Sequence, residues 1–212
     1  PRPLHSQLPF GVILSRITLF HPAFLSPGGA EFLCVNQARR LAGYGFDVRT
    51  VTFDYDPGIW APQHEGLHVT ALPKRALMDA RFGFSRLGKL NARAQRARPH
   101  LLDADLVLAH NAPCNWMLGS IKLPGQRAWQ CNEPPRTLHL RKANPRLAAR
   151  VDATPGGTVD LATRSVRKVM QVGSERQKQL HKRVLSDIAM TQQLDTVFAI
   201  SQFSRDNARA IY

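Results

Sequence analysis

The 212-residue sequence predicts an α/β fold, a doubly wound and mostly parallel sheet with helices packed on it. Two observations predict this class. Apolar runs of strand length alternate with stretches of helical periodicity, and glycine-rich or polar turns directly follow the runs. The first βαβ unit spans residues 16–54, with strands at 17–20 and 48–53 around a helix that begins at Ala30.

The first helix follows the turn Ser26-Pro27-Gly28-Gly29 and has apolar residues at helical spacing until Gly43 and Gly45 end it. A Pro- and Gly-bearing loop is predicted over residues 54–66, and a short third strand over 67–72. The next helix begins at Ser85 and ends before Pro99, because the residue before a proline disfavours helical geometry.

The second half of the chain continues the alternation. Residues 105–110 form a continuous apolar run that predicts a strand buried on both faces, and 127–131 form a weaker candidate strand. A linker is predicted at 154–157, followed by a charged and mostly helical stretch over 159–191 with a break at Gly173. The last strand is predicted at 196–200, and Ser201 is placed to cap a final helix through Ile211.

Composition predicts one domain over residues 1–212, since 43% hydrophobic content supports a single core. The longest apolar run is too short and too polar to cross a bilayer. Cys34, Cys114 and Cys131 are widely spaced and form neither a CxxC pair nor a zinc pattern. We therefore expect free core thiols, no metal and a cytoplasmic location.

The net charge of +14 and the pI near 10.8 favour anionic partners such as nucleic acid, acidic lipids or phosphorylated substrates. One side of the helix from Ser85 carries Arg86, Lys89, Arg93 and Arg96, which is typical of a face that lies on an anionic membrane. The alternative is an ordinary surface helix. The chain lacks RNA-binding aromatic motifs, a helix-turn-helix pattern and zinc spacing, so we expect no nucleic-acid partner.

Four polar clusters each follow a predicted strand. They are Gly28-Gly29, His110-Asn111, Asn132-Glu133 and Ser201. In a parallel sheet the carboxyl ends of the strands lie at one edge, where such folds bind their ligands. The sequence therefore predicts that these distant residues converge on a single crevice.

Four segments together resemble the amino-terminal domain of family 4-like GT-B glycosyltransferases. They are the GGAE turn, Gly45-Phe46-Asp47-Val48, the CNEPPR segment and the closing DTVFAISQFSRDNARAIY, and the likeness covers nearly the whole chain. The resemblance implies one of two Rossmann-like lobes, which binds the acceptor while the other lobe holds a nucleotide sugar as co-substrate. We expect that donor lobe to lie outside these residues, no tightly bound cofactor, and no turnover by this chain alone.

The resemblance also suggests roles for single residues. Gly28 and Gly29 are expected near the donor phosphates, since glycines and a helix N-terminus allow close anion approach, although a plain tight turn is the alternative. The family often has a histidine where this chain has Asn132. Asparagine can hydrogen-bond a hydroxyl but cannot take its proton, so Glu133 and His110 are the further candidates for acting on the acceptor.

Asn111, Arg136 and Ser201 are the expected acceptor-binding residues, and Arg136 can clamp a phosphate through two hydrogen bonds. The alternatives are a helix cap for Ser201, a hydrogen-bonded turn residue for His110 and a solvated loop carboxylate for Glu133. The expected function is transfer of a hexose from a nucleotide sugar to a hydroxyl of a glycan, lipid or small molecule. The alternative is a basic binding module for nucleic acid or anionic membranes; a nicotinamide-dependent reductase is disfavoured, because G-x-G-x-x-G is absent.

Overall fold

In the computed structural model, a sheet of six parallel strands runs through the described part of the chain. The structure describes residues 15–72, 86–135, 138–139 and 174–212, with the backbone alone at 86 and 174–177. The strands are β1 (Arg16–Phe24), β2 (Asp47–Tyr55), β3 (His68–Ala71), β4 (Leu106–His110), β5 (Gln126–Cys131) and β6 (Thr196–Ala199). The predicted α/β fold class is confirmed, and the sheet is Rossmann-like.

The strand order is β3-β2-β1-β4-β5-β6. Chain order therefore runs outward in one direction from β1 to β3, and in the other direction from β4 to β6. The reversal lies between β1 and β4, which pair in parallel with Leu19 opposite Leu108. In open α/β sheets the crevice outside the carboxyl ends at such a reversal is the usual place for a ligand.

The helices within the described residues are α1 (Gly29–Gly43), α2 (Pro57–Trp60), α3 (Arg86–Ala97), α4 (Cys114–Gly119), α5 (Ser174–Thr191) and α6 (Gln202–Ile211). Helix α1 ends as predicted near Gly45, whose φ of 92° is left-handed and suits glycine. Ser201 caps α6 as predicted, because its side chain accepts a hydrogen bond from the Ser204 N–H. The predicted linker at 154–157 and the break at Gly173 lie outside the described residues.

Three elements differ from the sequence prediction. β1 continues four residues beyond Phe20 and includes Pro22. The strand tolerates this proline because β4 pairs with β1 only as far as Phe20, so beyond that point β1 has a partner strand on one side alone. The predicted loop after β2 holds α2, whose N-terminus is capped by the Asp56 side chain accepting from the Gly58 N–H at 2.9 Å. Helix α4 was not predicted, since six residues are too few to show a period.

The core has one layer on each face of the sheet. On one face Phe20, Phe53 and Trp129 pack with α3 and α4. On the other, Phe24 and Trp60 pack with α1. The three cysteines are free and buried, as predicted, and burial raises the pKa of each thiol.

A buried polar cluster joins α4 to α5. Asn115 Nδ2 donates to Asp187 Oδ1 at 3.1 Å and to Thr191 Oγ1 at 2.9 Å. The other carboxylate oxygen of Asp187 lies 2.8 Å from His139 Nε2 and accepts a hydrogen bond from the Tyr212 hydroxyl at 2.8 Å. Apart from half-buried Tyr212, the members are almost fully buried, which makes their hydrogen bonds stronger than surface ones and makes the loss of one costly. We call this group the Asp187 cluster.

Candidate functional site

An open groove of about 760 Å³ lies at the carboxyl edge of the sheet. Its described walls come from the residues after four strands: β1, β4, β5 and β6. They are Gly29, Ala30, Leu33, Asn111, Ala112, Asn132, Glu133, Pro134, Pro135 and Ile200. The groove thus spans the reversal between β1 and β4, and it brings together turns that lie up to 171 residues apart, from Gly29 to Ile200.

Two asparagines form the polar centre of the groove. Asn132 Nδ2 donates to Asn111 Oδ1 at 3.0 Å, which links the turn after β5 to the turn after β4. Asn111 has a φ of 56°, a left-handed conformation that asparagine adopts more readily than other side-chain-bearing residues. Asn132 Oδ1 is buried and has no hydrogen-bond partner among the described residues, so it remains as an unused acceptor at the groove wall.

Glu133 is exposed on the groove wall directly after this asparagine. Ser201, unlike Glu133, does not line the groove. Its hydroxyl caps α6, and the Ser204 hydroxyl in turn donates to the backbone oxygen of Asn132 at 2.8 Å. The residue that reaches the groove at this end is Ile200, while Ser201 supports the wall through Ser204. Arg136, the third residue expected at the acceptor, lies outside the described residues.

The two glycines of the first turn have different surroundings. Gly28 has an extended backbone, and the Glu31 carboxylate packs where a side chain at Gly28 would begin. Glu31 lies in the first turn of α1, where its charge complements the helix dipole. Gly29 lines the groove, and a Cβ there would meet no atom within 4 Å. Of the two, Gly29 therefore offers the open approach to the N-terminus of α1.

His110 lies inside the protein. It is fully buried at the end of β4, and neither ring nitrogen has a hydrogen-bond partner among the described residues. Its ring centroid is 6.2 Å from that of His21, which is also fully buried and lies on the neighbouring strand β1. The structure thus places His110 outside the described lining of the groove, with no exposed atom that could touch an acceptor.

Burial controls the protonation of both histidines. It lowers the pKa of His110 to about 3, with a smaller contribution from His21, and it lowers the pKa of His21 to about 4. Sequence reasoning did not single out His21, because a histidine in an apolar strand gives no signal of its own. Knowledge that β1 and β4 are neighbours would have revealed the pair.

These two histidines make the stability depend on pH. Their ordinary pKa is 6.5, so at pH 5 the unfolded chain binds protons that the folded chain does not. The free energy of unfolding is therefore highest above pH 6.5 and falls as the pH drops toward the folded-state values. We expect each histidine to account for about 2 kcal/mol of the fall between pH 7 and pH 5.

The substitution His110→Phe should remove the contribution of His110 to the fall in the free energy of unfolding between pH 7 and pH 5. Urea unfolding at the two pH values measures this fall. His100→Phe is the matched control, since His100 is exposed and its ring contacts water in both states. Equal pH dependence of the wild type and His110→Phe would contradict the prediction.

The basic side of α3 does not lie wholly in solvent. The guanidinium carbons of Arg93 and Arg96 lie 5.6 and 5.9 Å from the ring centroid of buried Phe53. Lys89 is exposed, and the Arg86 side chain lies outside the described part. Two of the cations named for a membrane-facing surface are thus half-buried over a core aromatic ring. Within the described ranges no helix is long and apolar enough to cross a membrane.

Across the described residues, no group of three or more histidine, cysteine or acidic side chains is arranged to hold a metal ion. No protein-family model and no curated protein matches the sequence. The comparisons thus assign no family, and what stands is an α/β domain whose parallel sheet opens a polar groove at its carboxyl edge.

Proposed function

We propose that this chain is the acceptor-binding lobe of a glycosyltransferase that transfers a hexose from a nucleotide sugar to a hydroxyl group. The observation that carries the proposal is the groove at the strand reversal. It combines a carboxylate, two linked amides and the N-terminus of a 15-residue helix within one open cleft. The carboxylate can take a proton, the amides can position a hydroxyl, and the helix N-terminus can stabilise a phosphate.

Glu133 is the proposed general base. The acceptor oxygen forms a bond to the anomeric carbon of the donor sugar, while the bond from that carbon to the phosphate oxygen breaks. The nucleotide leaves with the bonding electron pair, and the Glu133 carboxylate takes the proton that the acceptor hydroxyl loses. An exposed carboxylate on the groove wall can reach a bound hydroxyl, whereas fully buried His110 cannot.

The two asparagines are the proposed positioning groups for the acceptor. The Oδ1 of Asn132 has no partner among the described residues but is covered in the free protein, so a sugar hydroxyl can donate to it only after the groove wall shifts to expose it. A buried carbonyl oxygen without a partner is unfavourable by about 1–3 kcal/mol, so a bound hydroxyl would relieve that cost. The hydrogen bond to Asn111 holds the amide of Asn132 in one orientation, which favours a fixed acceptor position.

The donor phosphates are proposed to approach the groove at Gly29. The first N–H groups of α1 have no partner within the helix, and they carry a partial positive charge that stabilises an anion. The Glu31 carboxylate packs against Gly28 on the preceding side, so the open approach is at Gly29. Further cations for the leaving phosphate would come from the opposite lobe.

Exposed apolar side chains around the groove support a facing lobe. Of the eleven large apolar side chains exposed among the described residues, five follow the carboxyl ends of β1, β2 and β6, and Ile200 among them lines the groove; the five are Leu25, Phe32, Ile59, Ile200 and Phe203. Apolar side chains that gather on one side of a protein mark a surface that packs against something else. A second lobe that closes over the cleft fits this position.

The test is transfer from nucleotide sugars by the whole gene product, with Gly29→Ala as the diagnostic variant. The added methyl group meets no neighbour, so the fold should be retained, yet it narrows the approach to the helix N-terminus. We expect the KM for the nucleotide sugar to rise about ten-fold, because the change corresponds to the loss of roughly one charge-assisted hydrogen bond. Gly43→Ala, at the other end of α1, is the matched control and should leave the KM unchanged.

Transfer by residues 1–212 alone would contradict the assignment of one lobe. Absence of transfer by the whole gene product across a panel of nucleotide sugars would contradict the proposed function itself.

A further inference from the structure

A second, smaller pocket adjoins the groove. It has a volume of about 170 Å³ and, among the described residues, shares Ala112 and Pro135 with the groove wall. The two spaces therefore border each other at Ala112 and Pro135, close enough for one ligand to occupy both. The proposed function leaves this space unassigned.

The walls of the pocket are mainly apolar. Leu87 and Leu90 lie one turn apart on α3 and form one side, while Trp116 of α4 and Leu138 contribute others. All four are buried or half-buried, so the pocket is a recess in the protein and not a flat patch. Such a lining binds apolar groups and offers little to a sugar ring.

The polar groups in the described part of the wall are already engaged. Asp187 lines the pocket, but both of its carboxylate oxygens accept hydrogen bonds within the Asp187 cluster. The indole Nε1 of Trp116 donates to the Ser186 hydroxyl at 2.8 Å, which fixes the plane of the ring. Arg183, the other charged residue among the described wall residues, has an interaction of its own. A ligand in the pocket would thus contact apolar side chains that are already in position beside the Trp116 indole ring.

We propose that this pocket holds an aromatic ring attached to the acceptor, so that the acceptor is an aryl glycoside or a related small molecule with one ring next to its sugar hydroxyls. An apolar cavity of about 150 Å³ is enough to hold benzene, which matches the size of this pocket. An aromatic ring also gains from contact with Trp116 beyond the area that it buries. The inference rests on the proposed function, since it takes the groove as the site of the acceptor hydroxyl.

The test uses the 212-residue chain and three kinds of probe: phenol, methyl glycosides, and phenyl or hexyl glycosides of glucose, galactose and mannose. Binding in the pocket is followed through the indole N–H signal of Trp116 in NMR titrations, and binding in the groove through the side-chain amide signals of Asn111 and Asn132. We expect phenol to shift the Trp116 signal, and the phenyl glycoside of the preferred sugar to bind about ten-fold more tightly than its methyl counterpart. The hexyl glycoside should bind more weakly than the phenyl one.

Leu90→Phe fills the pocket from α3 and should abolish the preference for phenyl over methyl glycosides while leaving methyl glycoside binding unchanged. Leu102→Phe, at a leucine outside the pocket lining, should keep the preference. If Leu90→Phe does not fold, Leu87→Ala provides a second variant, which removes apolar wall area and should weaken phenyl glycoside binding alone.

The outcomes separate this inference from the function on which it rests. Methyl glycoside binding with no phenol shift and no phenyl preference would overturn the aromatic pocket and leave the proposed function standing. Equal binding of hexyl and phenyl glycosides would overturn the aromatic assignment. Phenol binding with no glycoside binding would support a ring-binding pocket but overturn its link to a sugar acceptor.

Discussion

Replacing Glu133 by glutamine should lower the rate of sugar transfer by the whole gene product about 100-fold, the usual effect of losing a general base. Glutamine has the same shape and can still hydrogen-bond a hydroxyl, but it cannot take the proton. The KM for the acceptor should change little, so the loss should lie in kcat. Initial rates over a range of acceptor concentrations check this.

Glu65→Gln is the matched control, since Glu65 is also an exposed loop carboxylate but does not line the groove. Both substitutions are on the surface and should change the free energy of unfolding by less than about 0.5 kcal/mol. A Glu133→Gln variant that retains most of its kcat would remove Glu133 from the chemistry. The second residue to examine would then be Asn132, whose Oδ1 has no hydrogen-bond partner among the described residues.

Replacing Gly119 by alanine should lower the free energy of unfolding by about 3 kcal/mol. Gly119 is the last residue of α4, and a Cβ there would overlap the backbone carbonyl of Met190 in α5. A backbone carbonyl cannot rotate away as a flexible side chain can, so the two helices must separate. Separation would also strain the hydrogen bonds from Asn115 to Asp187 and Thr191.

Urea unfolding measures the free energy of unfolding of Gly119→Ala, and Gly43→Ala is the control. A Cβ at Gly43 meets nothing within 4 Å, so alanine there should leave stability unchanged or raise it by up to about 1 kcal/mol through helix propensity. Equal stability of the two variants would show that α4 and α5 do not depend on this close approach.

Periodicity predicted the regular elements well, because local patterns decide them. The strands at 48–53 and 105–110 and the helix from Ala30 lie within one or two residues of β2, β4 and α1. The sequence also indicated that turns after parallel strands would meet at one edge, and the groove has Gly29, Asn111 and Asn132 together. Alternating strands and helices require this convergence regardless of strand order.

The prediction was weakest where tertiary contacts decide the outcome. His110 follows an apolar run, which suggested a polar residue at the crevice, yet its ring turns inward toward His21. A histidine at a strand end can face either way, and only the packing of β1 against β4 selects the buried orientation. For the same reason, Arg93 and Arg96 were expected on the solvent side of α3 but lie over Phe53.

The sequence by itself determined the α/β class, the position of α1 and the cap of α6, because each depends on residues a few positions apart. Only the tertiary structure decided which strands are neighbours, that Glu133 is exposed while His110 is buried, and that Asp187 joins α5 to α4. These features depend on contacts between residues that are far apart in the sequence. Asn115 and Asp187, for example, are more than 70 positions apart. No local pattern encodes such contacts, because the free energy that selects them comes from packing the whole sheet.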